Sequence, residues 1–221
     1  MHGSLPRLIR KNALAPNPLW RVQASMFSAA TTPAFGSVIP KVARRVIAAT
    51  VPSARELDRY FYGVFAFGKL APSRWTDGSF PAWYGADTPT TAMHEILHHA
   101  VNRRIHDYSG IAALDGWREV RTLLKASCST VLIDVVGMEH RHPWLIGSDY
   151  KKCQELGRYI YDKDLHGVKY QSARSSGVCA AMYRRDVLDD AEIQYDILFG
   201  YNGTELEARD TSGNLLTTRP L

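Results

Sequence analysis

TPTTAMHEILHHA, residues 88–100, has the pattern of a helix start followed by two helical turns. Thr88 suits the N-cap position, and Pro89 suits the first helical position, where its missing N–H costs nothing. We expect the helix to run from about residue 89 to residue 103.

This predicted helix has two chemically different faces. At 100° per residue, Glu95 falls with His94, His98 and Asn102, opposite an apolar arc. The arc consists of Ala92, Met93, Ile96, Leu97, Ala100 and Val101. Glu95 therefore lies outside the stripe that is predicted to be buried.

Strands and helices follow one another irregularly along the rest of the chain. Apolar and β-branched runs predict strands at residues 18–25, 61–68, 82–86, 129–137, 166–174, 178–185 and 193–201. Helical patterns occur at residues 37–50, after a capping box that begins at Ser53, and in a helix that Ser148 opens, while residues 118–126 fit either type. Without a regular βαβ alternation, we expect an α+β fold: one domain over residues 18–221 with mixed small β-sheets and flanking helices, preceded by a loose lead-in at residues 1–17.

The composition is that of an ordinary globular domain, with 45% apolar and 22% charged residues. The net charge of +5 favours anionic partners, but the basic residues are dispersed, so we expect no nucleic-acid partner for this chain alone. Three cysteines without a CxxC pair argue against a disulfide framework. No apolar run approaches the ~18 residues of a membrane span, and we expect a cytoplasmic protein without membrane contact.

His94, Glu95 and His98 match the HExxH pattern, in which two histidines bind zinc and the glutamate acts as general base. The extended form of this pattern needs Gly at position 101 and His at position 104, where this chain has Val101 and Arg104. Glu119 lies near the distance of a third ligand from a second helix, but no motif surrounds it. We expect no metal, and keep a zinc-dependent hydrolase as the alternative enzyme.

A second constellation uses the same glutamate. Arg74 lies in a predicted loop, Tyr84 near the end of a strand, and Ser172 and Arg174 where a strand passes into a loop. Arginines bind phosphate oxygens, a tyrosine ring stacks, and a carboxylate stabilises a developing positive charge, so the set suits a substrate with a pyrophosphate and a ribose. Each residue also has a purely structural interpretation, and a non-catalytic nucleotide-binding module stays open as a third class.

Two motifs resemble the RES domain family, which is named for its Arg, Glu and Ser. The family helix opens S/T-P-x-T-A-x-x-E, as residues 88–95 do, and its later motif G-I-x-Y-P-S-A-R is similar to residues 167–174. The chain departs from the family pattern around Arg74, where Ser-Arg-Trp-Thr replaces Gly-Arg-Phe-Asn, and at Gln171, where the family has Pro. The similarity covers about residues 60–205.

The resemblance implies an ADP-ribosyltransferase-like fold and a toxin that consumes NAD. Glu95, Arg74 and Tyr84 are then the expected catalytic residues, and Ser172 and Arg174 the expected substrate-binding residues. NAD is implied as a substrate, with no cofactor, in an NAD glycohydrolase, an NAD phosphorylase or an ADP-ribosyltransferase. An Xre-like antitoxin, or another neutralising protein, is the partner that the family implies. The chain has no GxGxxG fingerprint of a hydride-transferring dinucleotide enzyme, in agreement with this expectation.

Overall fold

The structure is a computed structural model that describes residues 11–24, 71–108 and 110–221, together with Phe61, Val64 and Phe65. The strands of this part are β1 (Asn12–Leu14), β2 (Leu19–Ala24), β3 (Trp83–Ala86), β4 (Arg118–Cys128), β5 (Val131–Asp134), β6 (Gly167–Gln171), β7 (Val178–Met182), β8 (Leu188–Tyr201), β9 (Glu205–Asp210) and β10 (Leu215–Pro220). The α-helices are α1 (Pro89–Asp107) and α2 (Lys151–Asp162), and single 3₁₀ turns occur at Ile111–Leu114 and Pro143–Leu145.

All the strands of the described part join one sheet, in the order β1-β5-β6-β7-β3-β2-β4-β8-β9-β10. Neighbours pair antiparallel except β5 and β6, which are parallel and are connected through α2. The α+β class is confirmed, although the strands form one continuous sheet and not several small ones. The long strand β4 accounts for the difference, because it pairs with β2 on one side and with β8 on the other.

The predicted helix is confirmed as α1, which ends at Asp107, four residues later than expected. Thr88 caps it as expected, since its hydroxyl accepts a hydrogen bond from the Thr91 N–H at 3.1 Å. The predicted arc is buried except for Ile96, and α1 packs on β2, β3 and β10. Neither of the described helices is long and apolar enough to cross a membrane.

Helix α2 covers the other part of the same sheet, next to β6. Its Gly157 is required by close packing, because a Cβ there would lie 2.2 Å from the Trp75 carbonyl oxygen. The helix begins at Lys151 and not at Ser148, and the Asp149 carboxylate accepts the Lys151 N–H at 3.0 Å.

Several segments differ from expectation. Within the stretch expected to be a loose lead-in, β1 pairs with β5, and Lys11 forms a 3.0 Å ion pair with the buried Asp134. The ambiguous residues 118–126 belong to strand β4. Phe61, Val64 and Phe65 are helical, although an aromatic run at 61–68 predicts a strand. The predicted helices at residues 37–50 and after Ser53 lie outside the described residues.

Candidate active site

A cavity of about 510 Å³ opens beside α1, against β2 and β3 and the loop that precedes β3. Its lining includes the aromatic residues Trp20, Tyr84, Tyr150 and Tyr170 and the arginines Arg21, Arg74, Arg103 and Arg174. Among the described lining residues, Glu95 is the one carboxylate. The excess of positive charge suits an anionic ligand, and the aromatic surface suits flat rings.

Glu95 is held by a serine from a distant part of the chain. The Ser172 hydroxyl donates to Glu95 Oε1 at 2.6 Å, and Ser172 Oγ accepts the backbone N–H groups of Arg174 and Ser175, each at 3.0 Å. A hydroxyl has one proton and two lone pairs, so these bonds use its full capacity. Ser172 therefore orients the carboxylate. With these three bonds formed, its hydroxyl has no donor or acceptor position left for a ligand.

The loop after β6 reaches α1 because Gly177 has no side chain. A Cβ at Gly177 would lie 2.0 Å from Thr91 Oγ1 and 2.7 Å from Asp87 Oδ1. Asp87 supports the same loop by accepting the Val178 N–H at 2.9 Å. The segment from Ser172 to Gly177 is thus pressed against the first turn of α1, and this contact places the serine beside Glu95.

Arg74 lies at the edge of the cavity and is almost fully buried. Its Nη1 donates to the carbonyl oxygens of Leu145 at 3.1 Å and Gly147 at 2.8 Å, and its guanidinium carbon lies 4.6 Å from the centre of the Tyr150 ring. These contacts fix the plane of the guanidinium while leaving other N–H groups available to a ligand.

Tyr84 lines the cavity, and its hydroxyl holds the arginine loop. The hydroxyl accepts the Trp75 N–H at 3.0 Å and shares a hydrogen bond with the Ser73 hydroxyl at 2.7 Å. Burial raises the pKa of Tyr84 to about 12, so the phenol is neutral at any ordinary pH. The hydroxyl thereby positions Ser73 and Trp75, the residues on both sides of Arg74.

Arg174 has a different environment from Arg74. Its side chain makes no hydrogen bond or ion pair with the residues of the described ranges, and it lines both this cavity and a neighbouring groove. Of the five predicted site residues, the structure places all at this cavity except Ser172, which lies directly behind Glu95.

Sequence reasoning missed two arginines on the cavity wall that could have been found. Arg21 stands between apolar residues of β2, where a charge is unexpected. Arg103 lies eight residues after Glu95, about two turns further along the same face of α1. Arg21 Nη1 donates to the Tyr84 carbonyl oxygen at 3.0 Å, but its buried Nε has no hydrogen-bond partner. Burial lowers the pKa of Arg21 to about 10, so the guanidinium stays charged at neutral pH.

His94 and His98 on α1 are both half-buried and make separate hydrogen bonds. His94 Nε2 lies 2.9 Å from the Thr217 hydroxyl on β10, and His98 Nε2 lies 2.9 Å from the Asn102 amide nitrogen. Burial, with Arg174 and Arg219 nearby, lowers the pKa of His98 to about 4. Over the described ranges, no three His, Cys, Asp or Glu side chains come together as a metal-ligand group.

The cysteines are poor nucleophiles. All three are buried and unpaired, and burial raises the pKa of both Cys128 and Cys153 to about 11. Burial also raises the pKa of Cys179, which lines the cavity, far above its usual range. Because the thiolate is the reactive form, thiol chemistry is not available here at neutral pH.

Comparison with known proteins extends beyond the motifs. The RES domain model matches residues 18–202, a range that contains every predicted site residue. No curated protein matches the chain. Among solved structures, a chain of the M. tuberculosis MbcT–MbcA toxin–antitoxin complex is similar over 88% of this chain and 93% of that chain, with a TM-score of 0.50 and 17% sequence identity. At this identity the likeness shows a shared fold.

Proposed function

The chain belongs to the RES domain family, and we propose that it is a toxin-type enzyme that cleaves the nicotinamide N-glycosidic bond of NAD. One observation carries the proposal: Glu95, fixed by Ser172, is the one carboxylate among the described residues of a cavity lined by four arginines. The arginines suit the pyrophosphate of a dinucleotide, and the aromatic walls suit its two bases.

In the proposed reaction, the bond between the ribose C1′ and the nicotinamide nitrogen breaks, and its electron pair leaves with the nicotinamide. Positive charge then develops on C1′ and the ring oxygen. Glu95 offsets this charge and accepts hydrogen bonds from the ribose hydroxyls, a stabilisation that is larger in the transition state than in bound NAD. Arg74 binds a phosphate or ribose oxygen, and the Tyr84 ring packs against the nicotinamide half.

The roles of Ser172 and Arg174 differ in kind. Ser172 is a positioning residue in this proposal, because the bonds to Glu95 and to two backbone N–H groups occupy its hydroxyl. The guanidinium of Arg174, which makes no hydrogen bond with the described part of the chain, is available to the dinucleotide.

The proposal is tested by incubating the purified protein with NAD and measuring free nicotinamide, for the wild type and for Glu95→Gln. The amide keeps the shape of the side chain and removes its charge, so we expect nicotinamide release to fall by about 100-fold or more. Intact NAD after incubation with the wild type, with and without phosphate, would refute the proposal. The product identifies the acceptor: ADP-ribose for water, its 1-phosphate ester for phosphate, and a modified protein for a side chain.

We also propose that a neutralising protein binds this chain. The support is the solved structure with the same fold, which is that of a toxin–antitoxin complex. Expression of the wild type without the neutralising protein should arrest growth and lower cellular NAD. Expression of Glu95→Gln should permit growth. Equal growth with both would contradict a toxin function even if the enzyme is active in solution.

A further inference from the structure

A groove adjoins the cavity at Arg174. It has a volume of about 640 Å³ and is bounded by the start of α1, the loop that contains Ser175, and strand β10, which contributes Arg219. We call it the β10 groove. Strand β10 lies beyond residues 18–202, so this wall is an addition to the part of the chain that the family model matches.

The β10 groove carries positive charge that the described residues do not neutralise. Arg174 and Arg219 both line it, and neither forms an ion pair with a described residue. Among the described residues, the Arg219 side chain makes one hydrogen bond, from Nη1 to the His94 carbonyl oxygen at 3.4 Å. Burial and the charge of Arg174 lower the pKa of Arg219, whereas Glu95 acts in the opposite direction. Two half-buried guanidinium groups thus repel each other across one groove.

Asp87, the one carboxylate among the described residues of the groove wall, forms no ion pair with either arginine. Asp87 Oδ2 accepts the Val178 N–H at 2.9 Å, and Asp87 Oδ1 is buried without a hydrogen-bond partner. One Asp87 oxygen is therefore engaged by the loop backbone, and the other is not exposed in the groove. The surface of the groove instead offers the hydroxyls of Thr90 and Ser176, both exposed residues, near the first turn of α1.

We propose that the β10 groove binds a phosphate-type oxyanion, with Arg174 and Arg219 as its charged donors. Such an ion would relieve the repulsion between the two guanidinium groups and accept hydrogen bonds from the nearby hydroxyls. Two sources have this chemistry: a phosphate group of a bound dinucleotide, and free inorganic phosphate. Binding itself requires no turnover of NAD.

Calorimetric titration of inorganic phosphate into the full chain, at an ionic strength held constant with chloride, tests the site directly. We expect Arg219→Gln to weaken phosphate binding about tenfold, the loss of one charged hydrogen bond, and Arg219→Lys to restore part of it. Arg141→Gln is the matched control, because Arg141 is exposed and lies outside the groove. Equal phosphate affinity of Arg219→Gln and Arg141→Gln would overturn the proposal, as would the absence of phosphate binding by the wild type.

NAD titrations in the Glu95→Gln background distinguish the two sources. If the groove holds a phosphate of the dinucleotide, inorganic phosphate competes with NAD, and Arg219→Gln weakens NAD binding. If it holds free phosphate, both ligands bind together, and Arg219→Gln affects phosphate alone. For the titration of inorganic phosphate, Arg174→Gln provides a second variant if Arg219→Gln lowers the melting temperature. A wild type that binds phosphate through Arg219 but leaves NAD intact would contradict the proposed function and not this inference.

Discussion

Ser172 and Glu95, 77 residues apart in sequence, are joined by a hydrogen bond of 2.6 Å in which the serine donates. The serine is almost fully buried, while the glutamate faces the cavity. The carboxylate thus has one oxygen fixed from behind and the other available in front. This arrangement separates the residue that would meet a substrate from the one that orients it.

Ser172→Ala should reduce the maximal rate of nicotinamide release more than it changes KM, because the carboxylate loses its fixed orientation while Arg74 keeps its contacts with Leu145, Gly147 and Tyr150. We expect kcat to fall about tenfold or more, as for the loss of a hydrogen bond to a charged group. Ser172→Thr, which keeps the hydroxyl, should recover part of the rate. Ser129→Ala, at an exposed serine, is the control; a rise in KM with unchanged kcat would contradict the positioning role.

Gly177→Ala should separate the loop from α1. The added methyl group cannot be accommodated 2.0 Å from Thr91 Oγ1, so either the loop or the helix must move. We expect the free energy of unfolding to fall by about 1–3 kcal/mol, as for other overpacked sites, and nicotinamide release to fall with it. Gly147→Ala is the matched control, because its Cβ would meet its nearest neighbour at 3.5 Å. Urea unfolding would refute the contact if both variants were equally stable.

Arg74→Lys should be costly although it conserves charge. A lysine cannot reproduce the planar group that donates to Leu145 and Gly147 and lies over the Tyr150 ring. We expect a loss of about 1–3 kcal/mol in the free energy of unfolding, together with a higher KM for NAD. The same replacement at Arg141 should leave both quantities unchanged. Wild-type stability and KM in Arg74→Lys would show that the guanidinium geometry is unimportant.

The stability of the fold should decrease in mild acid. Burial, aided by neighbouring arginines, lowers the pKa of His98 from 6.5 to about 4, and burial lowers those of His94 and His99 as well. The unfolded chain therefore binds more protons than the folded chain between pH 6.5 and pH 4. The contribution of these histidines to the free energy of unfolding is fully present above pH 6.5 and is lost as the pH drops towards 4.

Urea unfolding at pH 7.5, 6 and 5 measures this slope. His98→Gln should make it shallower, and the same change at His106, whose side chain is 87% exposed, should not. A slope that is identical in His98→Gln and the wild type would exclude His98 as a cause of the acid sensitivity.

The sequence predicted α1 well because its signals are local: a capping threonine, a proline at the first position and a regular apolar arc. The α+β class and most strands followed from similar local patterns. The single sheet did not, because pairing between β4 and its neighbours is a long-range relation that no short window contains. Residues 118–126 were ambiguous for the same reason.

The candidate site also combines features that local motifs predict with features that only the fold shows. Glu95 and Ser172 could be named from their motifs, but only the fold shows that the serine hydroxyl is used up by the glutamate and the backbone. Arg21 was missed because its place on the cavity wall depends on the pairing of β2 with β3, a relation between distant parts of the chain. The part of Tyr150 in holding Arg74 depends on a contact across 76 positions of the chain, beyond the reach of spacing arguments.

Arg174 stands in the wall that the cavity and the β10 groove have in common. If the cavity and the groove each bind a ligand as proposed, the two ligands are coupled, since each alters the orientation and the electrostatic surroundings of the same guanidinium. The linkage is reciprocal: whatever factor a groove ligand applies to affinity in the cavity, a cavity ligand applies to affinity in the groove. A single side chain would thereby give this domain the means for cooperativity or antagonism between two proposed ligands, without any movement of the sheet.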